Sequence, residues 1–132
     1  MWWVRELFGA NHNKRPILLN IERGRNIEIK NVRWINSPRF HIWLEDVDNV
    51  WVHDFEIWVD VEGQVELNRL LPFGGLNSSF DSLHKNMTLP MFPLNTDGVD
   101  PHGSNILIER LNITNFDDAV AVKGSHKNYK IA

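Results

Sequence analysis

The sequence predicts an all-β protein, a right-handed parallel β-helix in which the chain winds into about four stacked coils. Three observations support this fold class. A segment headed by asparagine recurs at a spacing of 23 residues, and apolar and polar residues alternate within each copy. Few windows hold the i, i+3, i+4, i+7 apolar spacing of a helix. A fixed period of about 20–50 residues is typical of stacked repeats.

The repeat defines the predicted strands in chain order. The copies begin at Asn26, Asn49, Asn105 and Asn128. In each complete copy, apolar residues stand at positions +1, +3, +6 and +8 from the asparagine, as in Val50, Val52, Phe55 and Ile57. Alternating residues of this kind predict a strand with one buried face. The break between +3 and +6 predicts a corner, after which a second strand follows.

The recurring asparagine is expected to lie at a corner of each coil. Asparagine tolerates the left-handed backbone conformation better than most residues do. Stacked coils would place the asparagines above one another, where their amides can form a ladder of hydrogen bonds. We therefore expect a left-handed corner and an asparagine ladder.

The 23-residue repeat is interrupted at residues 60–94, where Pro72, Gly74, Gly75, Pro90 and Pro93 indicate a long loop between two coils. Long loops on a rigid scaffold frequently border binding clefts. We expect residues 1–132 to form a single partial β-helix domain with this excursion.

Composition excludes several classes of function. The formal net charge is −3 and the pI about 6.0, which argues against nucleic acid as a partner. No stretch of 18 apolar residues is present to span a membrane. The absence of cysteine excludes disulfides, thiolate metal sites and a cysteine nucleophile.

Acidic residues mark the candidate site. Asp97 lies eight residues before Asn105, and Asp118 lies ten residues before Asn128. These nearly equivalent positions on successive coils, offset by two residues, predict carboxylates roughly 8 Å apart before side-chain length is considered. That separation fits an inverting glycosidase, in which a water lies between base and sugar.

The adjacent pair Asp117 and Asp118 requires an irregular backbone. Neighbouring residues of a regular strand point to opposite faces. Both carboxylates can therefore face solvent only if the chain bends or bulges between them. We expect such an irregularity.

Both acidic segments resemble motifs of the polygalacturonases, glycoside hydrolase family 28. Asn95-Thr-Asp-Gly-Val-Asp100 is similar to that family's Asn-Thr-Asp segment, and Asp117-Asp-Ala-Val-Ala-Val-Lys123 to its Asp-Asp-Cys-Val-Ala-Ile-Lys segment. The upstream segments Trp2-Trp3, Arg15-Pro16 and Asn36-Ser37-Pro38 also resemble the family's approach to its site. The resemblance therefore spans nearly the whole chain.

The resemblance implies a role for each acid. Asp117 would be the general acid that protonates the glycosidic oxygen, while Asp97 and Asp118 would activate the water that attacks with inversion. Asn95 would orient the site by hydrogen bonding. The reaction would use neither a metal nor another cofactor.

Three nearby residues have supporting roles in this interpretation. Gly98 is expected to let the backbone turn sharply behind Asp97. Asp100 either supports Asp97 or faces solvent. Lys123 neutralises the acids, binds a uronate carboxylate of the substrate, or is simply solvated.

The chain departs from the family in lacking the later Gly-His-Gly and Arg-Ile-Lys motifs, which supply a histidine and the cations that hold the galacturonate carboxylate. None of its six histidines has the Gly-His-Gly context. We therefore expect a fragment of a longer enzyme, inactive in isolation.

The resemblance implies hydrolysis of the α-1,4 bonds of polygalacturonate, with exo and endo action both open. Secretion and a monomeric full-length enzyme are further expectations. Two alternatives remain. A non-catalytic β-helix could bind acidic polysaccharide, or a calcium-dependent lyase could use the clustered acids as oxygen ligands.

Overall fold

The computed structural model describes residues 15–63, 93, 95–124 and 127–132, and there the chain forms a parallel β-helix. The predicted fold class is confirmed. Apart from residues 60–63 and 93, the predicted excursion at 60–94 lies outside the described residues, as does Trp2-Trp3. Within the described ranges, no helix has the length and apolar character required to cross a membrane.

The described residues contain six strands, all paired in parallel. They are β1 (Leu19–Glu22), β2 (Arg25–Lys30), β3 (Arg33–Ile35), β4 (Ile42–Trp58), β5 (Val99–Thr114) and β6 (Lys127–Ile131). The three short strands β1, β2 and β3 pair in succession along β4, and β5 pairs with the other side of β4. Strand β6 pairs with β5. Strands β1–β3, β4 and β5 thus trace three coils, and β6 belongs to a fourth.

The corner asparagines adopt the expected left-handed conformation, with φ values from 54° to 59° at Asn26, Asn49, Asn105 and Asn128. The predicted ladder is only partly present. Asn49 donates from Nδ2 to Asn26 Oδ1 at 2.7 Å, and Asn128 to Asn105 Oδ1 at 2.9 Å. Between these pairs the ladder breaks, because the Asn105 amide donates to Asp48 Oδ1 instead of to Asn49.

The predicted apolar positions form the core between the coils. In β4 the four predicted residues Val50, Val52, Phe55 and Ile57 are all buried. Ile42 and Leu44, near the start of that strand, are fully buried as well. Strand β4 is covered on both sides by neighbouring coils, so it contributes the largest share of the buried apolar side chains.

The described parts of the connections between successive coils approach one another at the start of β4 and β5. The connection from β3 to β4 meets the one from β4 to β5 where the His41 N–H donates to Asp97 O at 3.0 Å. The segment that follows β5 meets the same place, because the Gly98 N–H donates to Asp118 O at 2.9 Å. The acidic motifs therefore lie side by side at the coil connections.

Candidate active site

The three predicted acids converge. Asp97, Asp117 and Asp118 each place one carboxylate oxygen within 4.8 Å of those of the other two. Asp97 is 4% exposed, whereas Asp117 and Asp118 are exposed. Oxygens this close together could also ligate a divalent cation. The cluster can thus serve either acid/base chemistry or cation binding.

The predicted offset between the acids, and with it the separation of roughly 8 Å, is wrong. Val99 pairs with Val120, a spacing of 21 residues, whereas β5 and β6 pair at a spacing of 23. The fourth coil therefore carries two additional residues after the acids. As a result Asp97 lies directly opposite Asp118, and the two positions are separated only by the coil spacing of about 4.8 Å.

The chain bends at Phe116 and Asp117, as expected, and this lets both neighbouring carboxylates face solvent. The bend also fixes the first of them. Asp117 Oδ2 accepts a hydrogen bond from the Asn95 backbone N–H at 3.0 Å, and its Oδ1 accepts one from the Asp118 N–H at 3.0 Å. Asp117 is therefore held by both acidic motifs at once.

Two polar residues that the sequence did not single out join the motifs. The Asn115 amide donates from Nδ2 to Thr96 O at 3.1 Å and to Asp118 O at 2.9 Å. The buried Thr96 hydroxyl oxygen accepts a hydrogen bond from the Phe116 N–H at 3.2 Å. These bonds link the backbones that carry Asp97 and Asp118. Only the stacking of the coils reveals this role, because Thr96 and Asn115 are 19 residues apart in sequence.

A second group, from the preceding coil, supports Asp97 from the other side. His41 is fully buried, and its Nδ1 lies 3.0 Å from Asp97 O. Burial lowers the pKa of the His41 imidazole, although its hydrogen bonds to the Asp97 and Thr96 backbones oppose this. A neutral ring that donates from Nδ1 and accepts the Ser37 N–H at Nε2 fits both contacts.

Arg15 hydrogen-bonds both to the segment that precedes His41 and to Asn95, the first residue of the Asn95-Thr-Asp motif. Its guanidinium donates from Nη2 to Asn95 Oδ1 at 2.7 Å and from Nη1 to Pro38 O at 3.1 Å. Asn95 is thus brought to the site and oriented by a cation. The signals for Arg15 and Ser37 were the Arg15-Pro16 and Asn36-Ser37-Pro38 segments, whereas His41 lay just beyond them and had no signal of its own.

The surroundings of Asp97 change the pKa of its carboxyl group. Burial raises the pKa of Asp97, and the negative charges of Asp117 and Asp118 raise it further. Its Oδ1 atom is buried and accepts no hydrogen bond from the described residues. Within the described ranges, this oxygen of Asp97 is therefore buried without a donor.

Asp100 does not face solvent, so that alternative is wrong. It is fully buried, and its Oδ1 lies 3.0 Å from Lys123 Nζ. Burial raises the pKa of Asp100 to about 7, although Lys123 opposes the shift. Of the roles expected for Lys123, the structure supports neutralisation of the acids, because its ammonium group pairs with a buried carboxylate.

The chain bends at Gly98, as predicted, and glycine is needed there for a second reason as well. Its φ lies outside the left-handed region, but a Cβ atom there would lie 2.4 Å from the Ala119 carbonyl oxygen. Glycine is therefore required because the two acid-bearing coils approach each other closely.

Lys123→Met is expected to destabilise the protein by about 2 kcal/mol at pH 9, because it leaves the ionised Asp100 buried without its cation. The figure is below that for a fully buried pair because Lys123 is 41% exposed. At pH 5 the loss should nearly vanish, since Asp100, with a pKa of about 7, is then protonated in the folded protein with or without Lys123. Urea unfolding at both pH values measures this difference.

Lys30→Met is the matched control. Lys30 pairs with Glu28 at 3.0 Å, but both side chains are more than two-fifths exposed. Its loss should cost no more than about 0.5 kcal/mol at either pH. An equal loss of stability at pH 5 and pH 9 in Lys123→Met would show that packing of the lysine side chain, and not its charge, supports the fold.

The chain is similar to a known protein family and to several known proteins. The family model described as "Glycosyl hydrolases family 28" matches residues 1–132. An endo-polygalacturonase of Pectobacterium carotovorum subsp. carotovorum is 31% identical over 109 residues, which is 82% of this chain and 20% of that protein. A probable polygalacturonase of Vitis vinifera is 26% identical over 133 residues, covering all of this chain and 21% of that protein. No solved structure matches significantly. The chain spans about a fifth of the length of these curated relatives.

Proposed function

Because this chain belongs to glycosyl hydrolase family 28, we propose that it supplies the catalytic carboxylates of an enzyme that hydrolyses the α-1,4 bonds of polygalacturonate. The observation that carries the proposal is the convergence of Asp97, Asp117 and Asp118, whose oxygens lie within 4.8 Å of one another. The names of the relatives support polygalacturonate as the substrate.

In the proposed mechanism Asp117 donates a proton to the glycosidic oxygen while Asp97 and Asp118 activate a water. The exposure of Asp117 supports the first role, because a leaving group can reach its carboxyl. The clustering of Asp97 with Asp118 supports the second, because two neighbouring carboxylates can together hold a water and take its proton. Asp97 must be ionised to do so, and its raised pKa therefore sets a lower pH limit on this role.

We propose that hydrolysis inverts the anomeric configuration, and this part of the proposal rests on the family resemblance alone. Asp97 and Asp118 lie directly opposite each other, so the predicted two-residue offset between them no longer supports inversion. The acidic cluster itself is compatible with a water held between two carboxylates that act together as base. The anomer first formed, followed by proton NMR during hydrolysis, distinguishes inversion from retention.

The size and charge of the proposed substrate indicate where the enzyme acts. A polymeric acidic polysaccharide cannot cross a cell membrane intact, so we propose that the enzyme acts outside the cell. We further propose that the full-length enzyme acts as a monomer, because acids from two successive coils of one chain already form the site.

The test is the release of reducing ends from polygalacturonate by the full-length enzyme, measured with EDTA present and alongside the ultraviolet absorbance of unsaturated products. We expect metal-independent release without unsaturated products. EDTA-sensitive release of unsaturated products would instead identify a calcium-dependent lyase. The three clustered carboxylate oxygens are compatible with this alternative, because they could ligate a divalent cation. Binding of polygalacturonate without any turnover would identify a non-catalytic β-helix.

A further inference from the structure

A small group of side chains lies on the coil immediately before the acids. Ile42 pairs with Val99, and the His41 N–H donates to Asp97 O. This register places Phe40 opposite Asp97, one coil spacing of about 4.8 Å away. The backbone of Arg39, Phe40 and Trp43 therefore lies on the coil before the segment that carries Asp97, on the side away from Asp118.

The two aromatic residues of this group form a fixed apolar surface. The rings of Phe40 and Trp43 are stacked, with centroids 5.2 Å apart and planes at 14°. Phe40 is buried, whereas Trp43 alternates with the inward residues Ile42 and Leu44 and is partly exposed. The Trp43 indole also donates from Nε1 to Glu45 Oε2 at 2.9 Å, which fixes its orientation. A preordered aromatic face can pack against the C–H groups of a sugar ring at little cost in entropy.

Arg39 supplies a positive charge beside that surface. Its guanidinium carbon lies 4.4 Å from the centroid of the Phe40 ring. Among the described residues, no carboxylate is paired with it. By contrast, Arg33 pairs with Glu56 at 2.7 Å and Arg110 with Asp54 at 2.7 Å. The Arg39 guanidinium is therefore available to bind a carboxylate through two parallel hydrogen bonds.

An anionic substrate needs such a cation here. The acid cluster carries up to three negative charges, and a polyuronate brings one more with each sugar. Lys123 is already paired with the buried Asp100. Attraction between Arg39 and a uronate carboxylate would offset the repulsion that the acids exert on the substrate.

We propose that Arg39 and Trp43 form a subsite for one uronate residue of the polysaccharide, on the coil that precedes the acid cluster. The guanidinium binds the uronate carboxylate, and the indole packs against the sugar ring. This inference rests on the proposed function, because it names residues that hold the same substrate beside the same acids.

Arg39→Gln is expected to weaken binding of tetragalacturonate about tenfold, because one charge-assisted contact is lost. Calorimetric titration in an Asp117→Asn background measures the affinity without turnover. Methyl esterification of the tetrasaccharide removes its charges, so the variant and its parent should then bind it equally. Arg33→Gln is the control. Arg33 also lies near an aromatic ring, that of Trp58, but it belongs to strand β3.

Trp43→Leu separates ring packing from charge. We expect weaker binding of both the charged and the esterified tetrasaccharide, because contact between indole and sugar does not depend on the carboxylate. Trp58→Leu is the control, as Trp58 is 40% exposed and lies at the opposite end of β4 from Trp43. Thermal unfolding of each variant establishes that binding is compared between folded proteins.

The outcomes separate this subsite from the proposed hydrolysis. If the parent hydrolyses polygalacturonate but Arg39→Gln binds both tetrasaccharides as Arg33→Gln does, the subsite is refuted and the hydrolase stands. If the full-length parent binds tetragalacturonate through Arg39 but produces no reducing ends, the hydrolase is refuted and the subsite stands. An equal loss of affinity for the charged and esterified ligands in Arg39→Gln would refute the carboxylate contact.

Discussion

In the full-length enzyme, Asp117→Asn is expected to lower polygalacturonate turnover by at least about 10²-fold, within the roughly 10²–10⁴-fold effect of a general acid. The amide cannot give up a proton to the glycosidic oxygen. Substrate affinity should change far less, so the loss should appear in kcat. Initial rates of reducing-end release over a range of substrate concentrations distinguish the two parameters.

The fold should survive this substitution with a small loss of stability. Both oxygens of Asp117 accept backbone N–H bonds, from Asn95 and Asp118. The asparagine side chain retains only one acceptor oxygen, so one of these bonds is lost, at a cost of about 1 kcal/mol. Circular dichroism and urea unfolding test this expectation.

Asp46→Asn is the matched control for Asp117→Asn. Asp46 is exposed, and its φ of 52° is one that asparagine tolerates well. This variant should keep the parent's turnover. Retained turnover in Asp117→Asn itself would contradict the assignment of Asp117 as the acid and would direct the search to Asp97, whose pKa is raised by burial.

Gly98→Ala is expected to destabilise the protein by about 3 kcal/mol, the upper part of the usual range for overpacking. The new Cβ would lie 2.4 Å from the Ala119 carbonyl oxygen and 3.1 Å from Ile113 Cδ1. The carbonyl cannot withdraw freely, because it accepts the Val99 N–H at 3.1 Å. The coils must therefore separate at the place where they hold the acids. Urea unfolding measures the loss of stability.

The same separation should reduce turnover by about 10²-fold, because a misplacement of about 1 Å is sufficient for such a loss. Gly24→Ala provides the control. Its added Cβ would meet the Cδ1 atom of Ile27 at 2.6 Å, at the end of a side chain that can rotate away. We expect it to cost less than about 1 kcal/mol. Equal stabilities for the two variants would show that the coils do not need a glycine at position 98.

Much of the fold could be predicted because it is encoded within single coils. The alternation of Val50 and Val52 indicates a strand whatever its neighbours are, and both are buried. The conformational preference of Asn49 is likewise local, and its φ is 56°. The asparagine ladder was predicted less well, since the Asn105 amide had a competing acceptor in Asp48 on the adjacent coil.

The candidate site was predicted in its residues but not in its geometry. Asp97, Asp117 and Asp118 do converge, yet counting from the corner asparagines gave the wrong offset. The two additional residues that follow Val120 alter the count without moving the acids. Sequence spacing measures distance along the chain, whereas the separation of two coils depends on the local register of their hydrogen bonds.

By itself, the sequence determined the strand pattern, the left-handed corners and the identity of the acids, because backbone preference and apolar spacing act within a coil. The tertiary structure alone decided that Lys123 pairs with Asp100, that Asn115 links the two acidic motifs and that His41 supports Asp97. It also placed Arg39, which pairs with no carboxylate among the described residues, on the coil before the acids. These contacts join different coils, so they depend on which residues the hydrogen-bond register stacks on one another.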